Sequence, residues 1–130
     1  MTRILVIDDE PTVADALEII LSDEGYDVVV AATGRDGLEQ VIAGSFDITI
    51  TDLRLPDMTG HDVLARIMER DPASAVIIIT AHSSPEVIEE SIRLGAVEVL
   101  PKPFFPNDVI KLIAGITRRQ SCLVCKEKVS

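Results

Sequence analysis

The sequence predicts an α/β protein in which five βα units wind into a doubly wound parallel sheet. Three observations carry that prediction. Five short, mostly β-branched apolar runs punctuate the chain, apolar throughout rather than in alternation, as in strands covered on both faces. The segments between them repeat apolar residues at helical spacing. Prolines and glycines fall where helices would begin and end.

The first run, Ile4 to Ile7, leads through acids to Pro11, which suits a first helical turn. Val13, Leu17, Ile20 and Leu21 then share one helix face, and Gly25 suits the helix end. The second run, Val28 to Val30, is the shortest and passes into Ala31-Ala32, so the pattern leaves its end open. Leu38, Val41 and Ile42 make the next helical face. The third run is Ile48-Thr49-Ile50, followed by a helix carrying Val63, Leu64, Ile67 and Met68 and a turn at Asp71-Pro72. Val76 to Ile79 form the fourth strand, followed by Pro85 and a face of Val87, Ile88 and Ile92 that ends at Gly95. Val97 to Leu100 form the fifth, before Pro106 and a last face of Val109, Leu112, Ile113 and Ile116. Right-handed crossovers connect such parallel strands.

At 130 residues and 47% apolar content the chain supports one core, and we read one domain over residues 1–119 with a polar tail or linker stub over 120–130. The 22 acidic and 12 basic residues give a formal net charge of −10, which opposes binding to nucleic-acid phosphates and anionic membrane surfaces. The start lacks a signal-peptide pattern and no stretch approaches membrane-spanning length. Cys122 and Cys125 lie within the last nine residues, where they cannot staple a core. A cytoplasmic location is therefore expected. Their C-x-x-C spacing offers two ligands only, and His61 and His82 are distant in sequence, so a helix extension or linker is expected rather than a metal or redox centre.

Ligands of open α/β sheets bind beyond the carboxyl ends of the strands. Asp8, Asp9 and Glu10 follow the first run, Asp52 the third, Thr80-Ala81 the fourth and Lys102-Pro103 the fifth. Singly, each has an ordinary reading: Asp8, Asp9 or Asp52 as a helix cap, Thr80 as a strand residue, Lys102 as a solvated cation. Together they bring acids, a hydroxyl and a cation to one edge. Carboxylates about 4 Å apart repel by roughly 1 kcal/mol per pair in water and about 4 at an intermediate dielectric. Such a cluster raises a pKa or recruits a hard cation. Mg²⁺ suits one or two carboxylates with waters and phosphate oxygens. A carboxylate can also be a nucleophile, forming an aspartyl phosphate. Lys102 and Thr80 would then stabilise the transferring group, and small Ala81 would leave it room.

Asp8-Asp9-Glu10-Pro11, Asp52-Leu53 with Leu55-Pro56-Asp57-Met58-Thr59-Gly60, Thr80-Ala81 and Lys102-Pro103-Phe104 resemble the receiver domain of bacterial two-component response regulators. The resemblance spans about residues 3–118, and the four motifs in this order and spacing are specific. It implies a CheY-like, flavodoxin-like sheet of strand order 2-1-3-4-5. It implies that Asp52 is the phosphoacceptor, that Asp9 binds Mg²⁺ directly, that Asp8 holds a metal-bound water and that Arg54 offers its backbone carbonyl. Thr80 would hydrogen-bond the phosphoryl group, and Lys102, placed by a cis peptide to Pro103, would pair with its oxygens. The donor would be the phosphohistidine of a sensor histidine kinase or phosphotransfer protein. Output would pass through the fourth helix, fifth strand and fifth helix to an output domain, a protein partner or a second copy. The chain would then be no enzyme beyond its own phosphoryl transfer and slow autodephosphorylation. One departure stands out: family members usually carry Tyr or Phe three residues before the lysine, and Val99 stands there. An aromatic swing therefore cannot be the output signal. Val99 is expected beside the pocket at the sheet edge, with room for Tyr.

Two other classes fit less well. An aspartate-nucleophile phosphatase wants a D-x-D pattern after the first strand and a cap insertion; this chain has adjacent aspartates and no room for a cap. A pseudo-receiver acting as a constitutive scaffold would have lost an acid, the threonine or the lysine, and all are present. Nothing in the sequence resembles a helix-turn-helix or ATPase output domain, and whether the receiver stands alone or precedes one is left open.

Overall fold

The computed structural model describes residues 2–129, with side chains described for 2–119. Five strands and five helices alternate: β1 (Arg3–Ile7), α1 (Pro11–Asp23), β2 (Asp27–Ala31), α2 (Gly34–Ala43), β3 (Ile48–Asp52), α3 (Gly60–Arg70), β4 (Ala75–Thr80), α4 (Pro85–Arg93), β5 (Glu98–Pro101) and α5 (Pro106–Val129). The strands form one parallel sheet in the order β2-β1-β3-β4-β5. Order reverses between β1 and β3, so the crevice of such a sheet opens beyond Ile7 and Asp52.

Alternation along each strand explains the double cover. Ile4, Val6, Ile48, Ile50, Ile77 and Ile79 point toward Leu17 and Leu21 of α1 and Val109, Ile113 and Ile116 of α5. Leu5, Ile7, Val76, Ile78 and Val99 point the other way, onto Val63, Leu64 and Ile67 of α3. With both faces packed, the strands need apolar residues at every position, which is why their runs are continuous. Ala31 closes β2 by pairing with Ile7, and its carbonyl accepts from Asp8 N at 3.0 Å.

The helix boundaries follow local chemistry. Thr33, Thr59 and Ser84 cap α2, α3 and α4 through their hydroxyls, and Thr59 with Asp62 forms a reciprocal capping box. Gly25 and Gly95 end helical segments at φ 92° and 113°, a region costly for side-chain-bearing residues. α1 starts at Pro11 without any side-chain cap.

Several expectations change. β5 starts at Glu98 rather than Val97, which is exposed, whereas β3 ends at Asp52 as expected, paired with Ile79. Ile42, Ile88 and Ile92 belong to apolar helical patterns yet are exposed. In α4 the buried residue is Ser91, because it turns toward α3 and finds a hydrogen-bond partner there. Val99 does lie on the edge strand, but at 8% exposure it is packed into the core with Val76 and Ile78. Its side chain therefore belongs to the core on the α3 side of the sheet rather than standing free beside the pocket. The α5 backbone continues as helix to Val129, whereas the side chains of Cys122 and Cys125 lie outside the described residues. Among the described residues, no helix is long and apolar enough to cross a membrane.

Candidate functional site

Four strands deliver side chains to one edge of the sheet. Asp8 and Glu10 leave β1, Asp52 is the last residue of β3, Thr80 ends β4, and Lys102 follows β5. Lys102 is held by its backbone, whose N–H donates to the Thr80 carbonyl at 2.8 Å, and its peptide to Pro103 is cis. Gly60 opens α3 so close to β3 that a Cβ there would meet the Asp52 carbonyl oxygen. Only glycine lets the first turn of α3 sit against the Asp52 backbone.

Lys102 is the centre of the cluster. Its Nζ donates to Glu10 Oε1 at 3.0 Å and to Asp52 Oδ2 at 3.1 Å, and lies 3.2 Å from Asp8 Oδ2. Burial pushes the Lys102 pKa down, but the bonds to Glu10 and Asp52 and the charges of Asp8 and Asp52 outweigh it and hold the ammonium well above its ordinary range. Asp8 is 2% exposed; burial raises its pKa and the charge of Asp52 adds to that. The Glu10 N–H, 2.9 Å from Asp8 Oδ1, and Lys102 act in the opposite direction.

The capping alternatives do not hold for the acids. The residue that precedes α1 is Glu10, which makes no side-chain cap, and α3 is capped by Thr59. Asp52 Oδ1 instead accepts from Arg54 N at 3.3 Å, so its carboxylate stays at the strand end. Thr80 Oγ1 accepts from His82 N at 3.0 Å. An opening of about 270 Å³ is lined by Asp9, Glu10, Asp52, Arg54, Thr80, Ala81, His82 and Lys102.

Carboxylate oxygens of Asp8, Glu10 and Asp52 lie within 4.8 Å of one another, a spacing able to hold a metal ion. One observation favours a cation there. Asp8 Oδ2 is buried and, although near Lys102, receives no hydrogen bond of good geometry. Ion-paired with Lys102 but accepting no well-formed hydrogen bond, that oxygen keeps acceptor capacity that a cation or its bound water would use.

The structure thus brings together Asp8, Asp52 and Lys102, and Thr80 and Arg54 line the opening beside Asp52 and Lys102. Asp9 is exposed on the rim and stands outside the tight acidic set. Glu10, to which the sequence assigns no role, is inside it. Asp9 nevertheless lines the opening over Asp52, beside Glu10.

Comparison with known proteins agrees with this geometry. A family model described as the response regulator receiver domain matches residues 4–114. The transcriptional regulatory protein DltR of Streptococcus agalactiae is 35% identical over 121 residues, 93% of this chain and 54% of that protein. The response regulator ArlR of Staphylococcus aureus is 34% identical over 120 residues, 92% of this chain and 54% of its own length. The chain therefore spans about half the length of these curated relatives. Among solved structures, a CheY-like receiver domain from Methanospirillum hungatei superposes with a TM-score of 0.87 at 31% identity, covering 93% of this chain and 98% of the other. A receiver domain from Clostridium thermocellum gives 0.87 at 33% identity, covering 95% and 99%.

Proposed function

The chain belongs to the response regulator receiver domain family, and from that premise we propose that it accepts a phosphoryl group on Asp52 and relays its phosphorylation state to a partner. As a receiver domain it is a regulatory module rather than an enzyme acting on a metabolite. The observation that carries the reading is the one ammonium, Lys102, shared by Asp8, Glu10 and Asp52 at 3.0 to 3.2 Å.

An Asp52 carboxylate oxygen attacks the phosphorus of a phosphohistidine; the new P–O bond forms as the P–N bond breaks, and the imidazole leaves with the electron pair. Lys102, already against Asp52 Oδ2, pairs with the added phosphoryl oxygens. Thr80 turns its hydroxyl from the His82 N–H toward the group, and Ala81 keeps the approach open. Mg²⁺, when bound, supplies charge neutralisation for the transfer. Asp8, Asp9, Asp52 and the Arg54 carbonyl are the groups that would hold it, and the buried Asp8 Oδ2, which accepts no hydrogen bond, supports that assignment. Slow hydrolysis of the acyl phosphate resets the switch.

The donor we propose is a sensor histidine kinase or a phosphotransfer protein in the cytoplasm. The state is read at α4, β5 and α5 by an output domain, a protein partner or a second copy; exposed Ile88 and Ile92 on α4, and Phe105, 75% exposed before α5, support this. A net charge of −10 supports a domain that itself binds neither nucleic acid nor membrane. The test is incubation with acetyl phosphate and Mg²⁺, followed by intact-mass measurement. One phosphoryl addition that needs Mg²⁺ and disappears in Asp52→Asn is expected. An unmodified wild type, or equal modification of Asp52→Asn, overturns the assignment.

A further inference from the structure

We infer that His61 and Ser91 form a hydrogen-bonded clasp that fixes α4 against α3, making His61 a positioning residue between the Asp52 end of β3 and the α4 surface. This deepens the receiver reading and rests on it for the signal that the clasp would carry.

Ser91 is fully buried, the one polar residue turned inward on a helix whose isoleucines face outward. Its Oγ donates to the Val87 carbonyl at 2.8 Å, one turn earlier. It is also 2.8 Å from His61 Nε2 on α3. A serine hydroxyl has one proton and two acceptor lone pairs. With that proton committed to Val87, the bond to His61 requires the imidazole to donate, so Nε2 carries hydrogen. The two bonds together satisfy every polar atom that α4 buries at this position, and each depends on the other.

The place of His61 gives the clasp its meaning. It directly follows Gly60, whose N–H donates to the Leu53 carbonyl at 2.7 Å and whose Cα leaves no space before the Asp52 carbonyl. The first turn of α3 is therefore seated on the residues that end β3, and His61 reaches from that turn to the middle of α4. α4 is tied to the acidic edge twice: through the β4–α4 loop that begins after Thr80, and through this side-chain pair. With Val99 small and packed in the core, an aromatic ring is not available to link the two. The clasp supplies a second, directional attachment for a helix that contributes no residue to either apolar core.

Four proteins test it: wild type, Ser91→Ala, His61→Phe, and His61→Gln, which keeps a side-chain N–H donor. Amide hydrogen exchange over α4 should rise about fivefold in Ser91→Ala and His61→Phe, as the loss of one hydrogen bond allows, with α1 unchanged. His61→Gln should stay close to wild type. Nitrogen NMR of the wild-type imidazole should show hydrogen on Nε2. Unchanged α4 exchange in both deletions, a Gln variant that behaves like Phe, or hydrogen on Nδ1 alone overturns the clasp. A parallel titration with beryllium fluoride and Mg²⁺ should move α4 amide resonances less in Ser91→Ala than in wild type; an equal response removes the clasp from signalling. If wild type gives no response near Asp52, the phosphoacceptor reading fails, while the exchange measurements still decide whether the clasp positions α4.

Discussion

The two edges of the sheet each gather a cation, carboxylates and an opening, and they do different things with them. At the amino edge, Arg3 Nε bonds Asp27 Oδ2 at 3.0 Å, and its guanidinium lies 4.6 Å from the Phe46 ring centre. That side chain is 38% exposed, so solvent screens the pair. At the carboxyl edge, Lys102 is 12% exposed and meets three carboxylates, one of them entirely buried. Nearby at the amino edge, an opening of about 430 Å³ is lined by residues such as Val41, Phe46, Thr49 and Ile67, with Arg70 and Asp71 as its charged residues. The opening at Asp52 is smaller, about 270 Å³. Volume does not separate the edges, since a further opening of about 460 Å³, lined by residues such as Glu10, Ala81, Lys102 and Phe104, lies at the carboxyl edge. What marks the site is unequal pairing, three acids on one ammonium, with Asp8, Asp52 and Lys102 largely shielded from water.

The widest gap between the edges should appear on removing the two cations. Lys102→Met leaves Asp8 and Asp52 with an uncompensated buried charge and should cost about 2 kcal/mol of metal-free stability, below the range for fully buried pairs because the site is partly open. Arg3→Met should cost about 1 kcal/mol or less. Chemical denaturation of both measures the difference, and equal losses would erase the distinction.

Titration separates the edges next. Burial and the charge of Asp52 raise the Asp8 pKa, so the folded protein holds that proton more tightly than the unfolded chain. As pH rises from about 4 through the raised value, ionising Asp8 lowers stability. Metal-free wild type should therefore lose stability relative to Asp8→Asn over that interval, and the difference should level off above it. Parallel curves would mean that Asp8 is not strained.

A kinetic test sharpens the picture of the carboxyl edge. Arg54 and His82 line the opening over Asp52 and are exposed. Replacing both by Ala should change the dephosphorylation rate severalfold, roughly 1 kcal/mol in barrier, with Asp52 still the modified residue. An unchanged decay removes them from the control of water access.

The smallest effect belongs to Asp57, an acid beside the site but outside its cluster. The Arg35 and Gly34 N–H groups, both 2.9 Å from its carboxylate at the start of α2, hold its pKa below the usual range. Its stabilisation is present above the ordinary carboxylate value and is lost as pH falls through the lowered one, opposite in sign to Asp8. Asp57→Asn should flatten a modest acid-side decline in stability; an unchanged decline would assign it to other carboxylates.

The strands were legible because a sheet packed on both faces leaves no position for alternation, and the site was legible because strand ends are where such sheets bind ligands. Asp52, Thr80 and Lys102 could thus be read without coordinates. Glu10 was not, since sequence order says which residues follow β1 but not which side chains turn back toward Lys102. Ser91 was hidden for another reason: a helix face is recognised by its apolar residues, and α4 buries a hydroxyl instead. The Asp57 cap joins residues 22 and 23 positions apart, a distance at which spacing carries no signal. Val99 was placed on the correct strand but its burial depends on how tightly the α3 side closes over β4 and β5.

Chemical denaturation of wild type and Asp52→Asn, each with and without Mg²⁺, tests the shared-ammonium site most directly. Without metal, removing one of three carboxylates that compete for Lys102 should stabilise the protein by about 1 kcal/mol. At a hundredfold excess over its dissociation constant, Mg²⁺ should add about 2.7 kcal/mol to wild type and clearly less to the variant, which has lost a ligand. A metal-free variant less stable than wild type, with an undiminished gain from Mg²⁺, would mean that Asp52 is a structural hydrogen-bond acceptor and that the acids form no strained, metal-seeking cluster.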